Sequence, residues 1–275
     1  MKKNILILDG YNLFYRALYS GMDKGKYSTI FNFFRGLKPI IEAHKPDDAY
    51  LVLEGYPKKR FEVFSEYKAN RETKLDSEFI QQRKKIVELL KQFFPIQLVK
   101  HEDYECDDII AYIANSNSEH NVTVISTDTD FIQLINENIK LYNPVKKQFT
   151  DKPDYDYVIW KSLKGDSSDN ITGFKGIGEK TAAKYAKNND LLNEFLCYNN
   201  NRELFDKNMF LIKFHDLQDD KNSIIYFDIP NKENWQDLRN IFSEFGFKSL
   251  VEKDETWNKY IKSFNNLFKE NKNVI

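Results

Sequence analysis

The sequence predicts an α/β fold built on a mainly parallel sheet that is flanked by helices. Three observations support this prediction: strand-like apolar runs recur along the first part of the chain, segments of helical periodicity separate them, and acidic residues follow several of the runs. Regular alternation of strands and helices is typical of parallel sheets, because a helical crossover must join each parallel pair. From about residue 160 onward the pattern becomes mostly helical.

Five runs of β-branched and aliphatic residues define the predicted sheet. They are Asn4–Leu8, Asp48–Leu53, Ile96–Lys100, Val122–Ser126 and Ile139–Tyr142. The helical segments between them include Ile30–Ala43, Leu75–Phe94 and Asp107–Asn115. We expect the sheet to end near Pro144, because the stretch 151–157 is rich in Asp and Tyr, contains a proline and is typical of a connection.

Composition excludes several classes of protein. The chain has 275 residues, of which 41% are hydrophobic, and can therefore bury a substantial core. Two cysteines are too few for a disulfide framework, and the four histidines lack the spacing of zinc ligands. The apolar runs are too short to span a membrane, and Met1-Lys2-Lys3 leads directly into a strand. We therefore expect a cytoplasmic protein without a membrane partner.

Acidic residues lie where apolar runs give way to loops or to helix starts. They are Asp9, Glu54, Glu105, Asp107, Asp108, Asp128, Asp130, Asp166 and Asp169. Because the carboxyl ends of parallel strands meet at one edge of a sheet, we expect these side chains to converge. Several carboxylates in one cleft repel each other and need cations, and oxygen ligands favour Mg²⁺ or Mn²⁺. The pattern predicts a metal-binding acidic cleft.

Each acidic corner also has a simpler interpretation as a helix cap. Asp9, which follows a strand and precedes Gly10, is by itself more typical of a cap or a turn than of a metal ligand. Three acids within Glu105–Asp108 exceed what capping requires, which favours metal binding there. The corner at Asp128 and Asp130 repeats this design, although Asp130 could cap a helix that starts at Phe131.

A glycine-rich segment follows Asp166 and Asp169. Gly173, Gly176 and Gly178 permit a tight hairpin, and the helix expected to begin near Glu179 would point its amides at an anion. Three lysines reinforce this phosphate site without offering a group that reads bases: Lys175, Lys180 and Lys184. The segment therefore predicts contact with a duplex backbone that is independent of sequence. An ordinary turn would explain the glycines but not the acids before them.

In order along the chain, these motifs resemble the 5′-nuclease family, which includes phage flap endonucleases and the 5′→3′ exonuclease domain of bacterial DNA polymerase I. The resemblance runs over about residues 4–250 and rests on Asp9-Gly10, Glu66-Tyr67-Lys68-Ala69-Asn70-Arg71, Glu105-x-Asp107-Asp108, Thr127-Asp128-Thr129-Asp130 and Gly165-Asp166-x-x-Asp169 with Gly176-Ile177-Gly178. It implies a PIN-like nuclease domain at 1–155 with a helical arch at about 56–85. It also implies a helix-three-turn-helix duplex-binding region at 156–255, followed by a helical tail at 256–275.

The resemblance also implies roles for individual residues and two bound Mg²⁺ or Mn²⁺ ions. The first metal would be surrounded by Asp9, Glu54, Glu105 and Asp107, and the second by Asp128, Asp130, Asp166 and Asp169. Asp108 would bridge or lie in an outer shell. Functional basic groups would be Arg16, Lys68 and Arg71. Contacts to DNA would come from Arg60, Tyr67, Lys175, Gly176, Gly178, Lys180, Thr181 and Lys184.

The implied activity is Mg²⁺-dependent hydrolysis of DNA with a 5′ single strand, as a 5′-flap endonuclease and a 5′→3′ exonuclease serving replication and repair. RNA–DNA hybrid substrates, a K⁺ ion at the hairpin and a separate DNA polymerase as partner are left open, and we expect a monomer. One residue departs from the family pattern, because Glu54 stands where Asp is usual. Two alternatives remain: a PIN-type ribonuclease and a non-catalytic binder of branched DNA.

Overall fold

The computed structural model describes residues 2–21, 25–71, 76–198 and 200–270, of which 269–270 are described in backbone only. A seven-stranded sheet forms the centre of the molecule, with the strand order β6-β5-β4-β1-β2-β3-β9. Its strands are β1 (Asn4–Asp9), β2 (Asp48–Val52), β3 (Gln97–Lys100), β4 (Asn121–Ile125), β5 (Ile139–Asn143), β6 (Gln148–Phe149) and β9 (Ile225–Tyr226). A separate two-stranded ladder pairs β7 (Gly165–Asp166) with β8 (Ile171–Thr172).

Helices connect the strands and continue beyond them. In chain order they are α1 (Gly10–Leu18), α2 (Ser28–His44), α3 (Lys58–Val63), α4 (Ser77–Phe93), α5 (Cys106–Ser116), α6 (Tyr157–Lys164), α7 (Glu179–Lys187), α8 (Asn189–Leu196), α9 (Asn201–Ile212), α10 (Trp235–Glu244), α11 (Lys248–Val251) and α12 (Asp254–Glu270). The first residue of the predicted helix 75–94 and part of the predicted arch, 72–75, lie outside the described residues, as does the end of the tail, 271–275. No described helix is long and apolar enough to cross a membrane.

The five predicted strands are confirmed and pair in parallel from β3 to β5. The predicted end of the sheet near Pro144 is wrong, because β6 turns back and adds an antiparallel edge strand to β5. At the opposite edge β9 adds antiparallel to β3. Both edge strands have only two residues, which is too short to give a recognisable pattern in the sequence.

The sheet buries both of its faces, as a parallel sheet must. Along β1, Leu6 and Leu8 pack on one side with α2, α4 and α12, whereas Ile5 and Ile7 pack on the other side with α5. This continuous apolar strand therefore joins two cores. Immediately after it comes Asp9, which is 4% exposed, so the chain passes from the core to a charged group within one residue.

The region after residue 156 contributes to several cores. Residues of α6–α9 form a small core of their own that includes Leu163, Leu192 and Phe205. Farther along, α10 and α12 return to the central sheet, where Trp235 and Phe264 join the same core as Leu6. The described part of the predicted tail lies in α12, which packs on the body through its buried aromatic face.

Candidate metal centre

The acidic residues converge on one cleft at the carboxyl edge of the sheet. This cleft has a volume of about 950 Å³. The acids that line it are Asp9, Glu54, Glu105, Asp107, Asp128, Asp130, Asp166 and Asp169. Thus the structure brings together eight of the nine carboxylates singled out in the sequence, from five separate stretches of the chain.

Asp9 links the end of β1 to two neighbouring elements. Its Oδ1 accepts a hydrogen bond from the backbone N–H of Asn12, 3.0 Å away, and so caps α1. Its Oδ2 accepts from the Ser126 hydroxyl at 2.6 Å. Burial raises the pKa of Asp9 to about 6, even though these hydrogen bonds lower it. Asp9 therefore caps α1 and also lines the acidic cleft.

The corner before α5 does not use Glu105 as a cap. This residue occupies the N-cap position of α5, but its side chain makes no capping hydrogen bond. Burial, followed by repulsion from Glu105, raises the pKa of Glu54 to about 7. Burial and neighbouring acids also raise the pKa of Asp107 well above its usual range. The thiol of Cys106 lies among these acids and donates to Asp107 Oδ1 at 3.2 Å.

Lys161 organises the acids on the other side of the cleft. Its ammonium contacts both Asp130 and Asp166, the latter at 2.6 Å. Burial would raise the pKa of Asp166, but the hydrogen bond and charge of Lys161 outweigh it and lower that pKa to about 2. Burial raises the pKa of Asp130 to about 6 despite the same lysine. Sequence reasoning missed Lys161, because only the fold brings α6 against this corner.

The expected cap of a helix at Phe131 is corrected by the structure. Residues Thr129–Leu134 form a 3₁₀ helix, and Asp128 caps it by accepting from the backbone N–H of Asp130 at 2.8 Å. The Asp130 carboxylate is thereby free to face Lys161 and the hydroxyl of Tyr157, which lies 3.3 Å away.

The stretch after α3 lies over the acids. Lys68 adopts a left-handed backbone conformation with φ 58°, which is costly for a residue with a side chain and often marks a functional position. From there its ammonium contacts Glu105 and lies 3.8 Å from Asp169. Arg71 also contacts Asp169. Lys68 and Arg71 therefore lie among the carboxylates. Asp169, which the resemblance assigned to the same metal as Asp128 and Asp130, shares Lys68 with Glu105.

Arg60 and Asp108 form a buried pair behind this wall. Both side chains are almost completely inaccessible, and the guanidinium donates to Asp108 through two bonds of 2.6 and 2.8 Å. It also lies 2.8 Å from Glu105 and donates to the carbonyls of Leu211 and Lys213. The predicted contact of Arg60 with DNA is therefore wrong, and Asp108 does not line the cleft, because each neutralises the other inside the protein.

Two other predicted residues do not face the cleft as expected. Tyr67 is 3% exposed, and its hydroxyl lies 3.1 Å from Glu105 and 3.2 Å from Asp169, so that its one proton is shared between the two carboxylates and it does not present its ring to DNA. Arg16 lies on α1 but lines a small separate cavity beside α2. Tyr56 and Phe61, whose rings stack at 5.1 Å, are an aromatic pair that does line the cleft.

The glycine-rich hairpin lies outside the cleft. Its predicted residues Lys175, Gly176, Gly178, Lys180 and Lys184 are exposed, and Thr181 is half-buried. Among the described residues, none of the three lysines has a carboxylate partner within 4 Å. Gly176 has φ 84°, which favours glycine, and Gly178 is the N-cap of α7. The amino end of this helix and three unpaired cations therefore share one surface.

The cleft fits divalent cations by its charge. Eight carboxylates and four cationic side chains, Lys68, Arg71, Lys161 and Lys164, line it, so negative charge is in excess when all acids are ionised. Divalent ions would offset this excess. Within the described ranges no three acidic, His or Cys side chains already converge closely enough to hold one ion. Lys68 and Lys161, which now lie between carboxylates, would have to withdraw as ions bind.

The raised pKa values predict a metal effect that depends on pH. A folded-state pKa of about 6 for Asp9 and Asp130 and about 7 for Glu54 lies above the unfolded values. In their protonated form these acids therefore contribute fully to the stability of the fold below their unfolded pKa values. That contribution is lost as the pH rises through 6 to 7. We expect Mg²⁺ to raise the melting temperature more near pH 8 than near pH 5, since ions compete with fewer protons at the higher pH. Equal shifts of the melting temperature at pH 5 and pH 8, measured by differential scanning fluorimetry, would contradict metal binding by these acids.

Comparison with known proteins supports the family suggested by the motifs. The family described as 5'-3' exonuclease, N-terminal resolvase-like domain, matches residues 4–161, more than half of the chain. A 5'-3' exonuclease of Aquifex aeolicus is 30% identical over 258 residues, with 86% of each protein covered. DNA polymerase I of Bacillus subtilis is 33% identical over 217 residues, which are 71% of this chain but 24% of the polymerase. The chain thus spans about a quarter of the polymerase relatives it matches.

Solved structures show the same fold. T5 5'-exonuclease with bound zinc aligns with a TM-score of 0.66 at 19% identity, covering 97% of this chain and all of that one. T5 D15 flap endonuclease in complex with DNA and metal ions aligns with a TM-score of 0.64 at 18% identity, with the same coverage. The family match over 4–161 and the Aquifex relative, with which the assembled acidic cleft agrees, show that the chain belongs to the 5′-nuclease family.

Proposed function

We propose that this protein is a structure-specific 5′ nuclease that hydrolyses phosphodiester bonds of DNA at 5′ flaps and 5′ ends in the presence of Mg²⁺ or Mn²⁺. The observation that carries the proposal is the convergence of eight carboxylates beneath Lys68 and Arg71. When bound, two divalent ions would activate a water and neutralise charge on the leaving oxygen. The names of the relatives, which include a 5'-3' exonuclease and a flap endonuclease, support the same chemistry.

We divide the acids into two groups by their hydrogen-bond and ion-pair partners, and the groups meet at Asp128, whose charge, in addition to burial, helps to raise the pKa of both Asp107 and Asp9. Asp9, Glu54 and Asp107 surround the Cys106 thiol and would hold one ion. Asp128, Asp130 and Asp166 would hold the other, the last two being now bridged by Lys161. Glu105 and Asp169, which share Tyr67 and Lys68, form a third pair that would complete either shell.

Lys68 and Arg71 would bind the scissile phosphate. In the structure both cations are paired with carboxylates whose charge the metal ions would neutralise. Once those acids coordinate ions, the two side chains lose their partners and can turn to phosphate oxygens. Arg71 is the more accessible of the two, at 51% exposure against 19% for Lys68, so we expect it to meet the incoming strand first.

The hairpin would hold the duplex part of the substrate away from the cut. Its lysines and the amino end of α7 form a cationic surface suited to phosphates and not to reading bases. The substrate would thus be a duplex with a 5′ single strand, bound by a monomer. We infer that flapped or nicked DNA is cleaved. An RNA–DNA hybrid as substrate and a separate DNA polymerase as partner are both compatible with this binding of the duplex at the hairpin.

A substrate panel tests the proposed function. Purified protein with Mg²⁺ is offered a labelled 5′ flap, a nicked duplex, an RNA–DNA hybrid and single-stranded RNA. We expect the flap to be cut fastest near its junction and single-stranded RNA to be cut slowest. Preferential cleavage of single-stranded RNA would instead support the PIN-type ribonuclease alternative, and metal-dependent binding without cleavage would support the non-catalytic one.

Replacing Gly178 tests the hairpin. An added Cβ meets no atom within 4 Å and the backbone is extended, so Gly178→Val is expected to fold normally. The new side chain would nevertheless keep duplex phosphates from the amides of α7, and we expect about tenfold weaker binding of duplex-containing substrates. Gly36→Val, also at an open position, is the matched control. Equal losses on duplex and single-stranded substrates would remove the hairpin from duplex binding.

A further inference from the structure

Three tyrosines form a row along one face of α1. Tyr11, Tyr15 and Tyr19 follow one another at intervals of four residues, which places their side chains on the same face of the helix. The ring centroids of Tyr11 and Tyr15 are 5.1 Å apart, in an edge-to-face arrangement. Those of Tyr15 and Tyr19 are 6.2 Å apart, and their rings are nearly parallel, with an angle of 18° between the planes. The tyrosine row is therefore a continuous series of ring contacts.

The tyrosine row begins in the acidic cleft and leads out of it. Tyr11 and Tyr15 line the cleft together with Asp9, whereas Tyr19, the C-cap residue of α1, does not. At about 1.5 Å per residue, the step from Tyr11 to Tyr19 covers about 12 Å, the height of about three stacked bases. A strand that leaves the cleft along α1 would thus reach Tyr19 within a few nucleotides.

Packing accounts for the inner part of the row but not for Tyr19. The half-buried ring of Tyr15 packs on Phe79 of α4 at 5.3 Å. Among the described rings, Tyr19 contacts Tyr15 alone, and it is 79% exposed. No other large hydrophobic residue in the described part of the chain is exposed to this extent. Tyr19 therefore adds little buried area to the fold and leaves one face of its ring open at the end of the row.

A cation without an acidic partner lies beside the row. The guanidinium of Arg83, on α4, is 5.4 Å from the centre of the Tyr11 ring. Burial and a hydrogen bond with Tyr11 raise the pKa of the Tyr15 hydroxyl to about 12, although the nearby charge of Arg83 opposes this. Within the described ranges, Arg83 has no carboxylate within 4 Å. Its charge is thus available to a phosphate of a strand that lies along the row.

We propose that Tyr19 is a stacking site for a base of the unpaired 5′ strand, about three nucleotides from the cut, and that Arg83 binds a phosphate of the same strand. This inference rests on the proposed function, because it concerns the strand that enters the acidic cleft. Every base has a π face, so stacking on Tyr19 would not depend on sequence. The row packs on α4, whereas the hairpin leads into α7, so different elements would hold the unpaired and the duplex parts. The protein would therefore bind a 5′ flap more tightly than a nick.

Binding measured in Ca²⁺ separates this contact from the chemistry of the cleft. Fluorescence anisotropy gives the affinities for a 5′ flap and for a nicked duplex that has no unpaired strand. In Tyr19→Ala we expect the ratio of the two affinities to fall at least about fivefold, because the ring on which a base would stack is lost. Tyr19→Phe retains the ring and should keep the ratio. Tyr198→Ala, at a tyrosine after α8 that is 61% exposed, is the matched control and should also keep it.

A flap whose unpaired nucleotides lack bases distinguishes stacking from contact with phosphates. The effect of Tyr19→Ala should disappear on this abasic flap. Arg83→Met should weaken the binding of both flaps and make it less dependent on salt. Equal ratios in Tyr19→Ala and Tyr198→Ala, or a loss that persists on the abasic flap, overturn the stacking site. An unchanged dependence on salt in Arg83→Met overturns the phosphate contact.

Cleavage by the unmodified chain shows which of the two proposals has failed. If it cleaves the flap in Mg²⁺ but Tyr19→Ala binds flap and nick in the normal ratio, the proposed function stands and the stacking site does not. If it binds the flap without cleaving it, and the ratio still falls in Tyr19→Ala, the stacking site stands and the proposed hydrolysis does not.

Discussion

Asp128→Asn/Asp130→Asn is expected to reduce Mg²⁺-dependent cleavage of a 5′-flap substrate by at least about a thousandfold. These acids form one side of the cleft with Asp166, and the amides would bind divalent ions far more weakly. Folding should be retained, because Asn is as good a cap as Asp for the helix that Asp128 begins. Binding of the flap in Ca²⁺ should be unchanged or tighter, since less negative charge faces the DNA.

A matched double substitution at the surface distinguishes the effect of losing negative charge in the cleft from the effect of losing negative charge elsewhere on the protein. Asp216→Asn/Asp237→Asn removes the same formal charge from exposed positions that do not line the cleft. Its Asp216 carboxylate accepts from a backbone N–H two residues on, as that of Asp128 does. Cleavage close to the normal rate in the first double variant, or an equal loss in the control, would place Asp128 and Asp130 outside the metal site.

Arg60→Met is expected to destabilise the protein by about 3–5 kcal/mol, because it leaves Asp108 buried without its counter-charge. Arg60→Met/Asp108→Leu should recover a large part of this loss, since a well-packed apolar pair does not need to be neutralised. The free energies of unfolding would be measured in urea. Cleavage by the double variant should remain impaired, because Glu105 also loses its 2.8 Å contact with the guanidinium.

The exposed pair Arg202–Asp206 provides the control for this experiment. Its charged atoms are 4.0 Å apart and both side chains are more than half exposed. Arg202→Met should therefore change the free energy of unfolding by no more than about 1 kcal/mol. If Arg60→Met were no more destabilising than Arg202→Met, the Arg60–Asp108 pair would not be what holds α3 against α5.

Most of the sheet could be predicted because its signal is local. Runs such as Ile5–Leu8 are apolar on both faces, and the structure places alternate residues in two cores. The acids after these runs were predicted for the same reason, since their position at a strand end sets the edge they face. The edge strands β6 and β9 were missed, because two residues show no periodicity. The pairing of β9 also depends on β3, which is distant in the sequence.

The partners of charged side chains could not be predicted in this way. Arg60 lies in a basic stretch that is typical of an exposed helix, yet the fold buries it between Asp108 and Glu105. Lys161 has no motif around it, and becomes important only because α6 packs beside Asp130. In each case the deciding contact joins residues that are at least 31 positions apart.

By itself the sequence determined the fold class, the family and the positions of the acids at strand ends, because periodicity and motif order can be read along the chain. Only the tertiary structure decided which acid faces the cleft and which is neutralised in the interior. It also decided that Lys68, Arg71 and Lys161 lie among the acids. The physical reason is that charge and burial act through space, so a side chain acquires its partner and its pKa only when distant segments pack together.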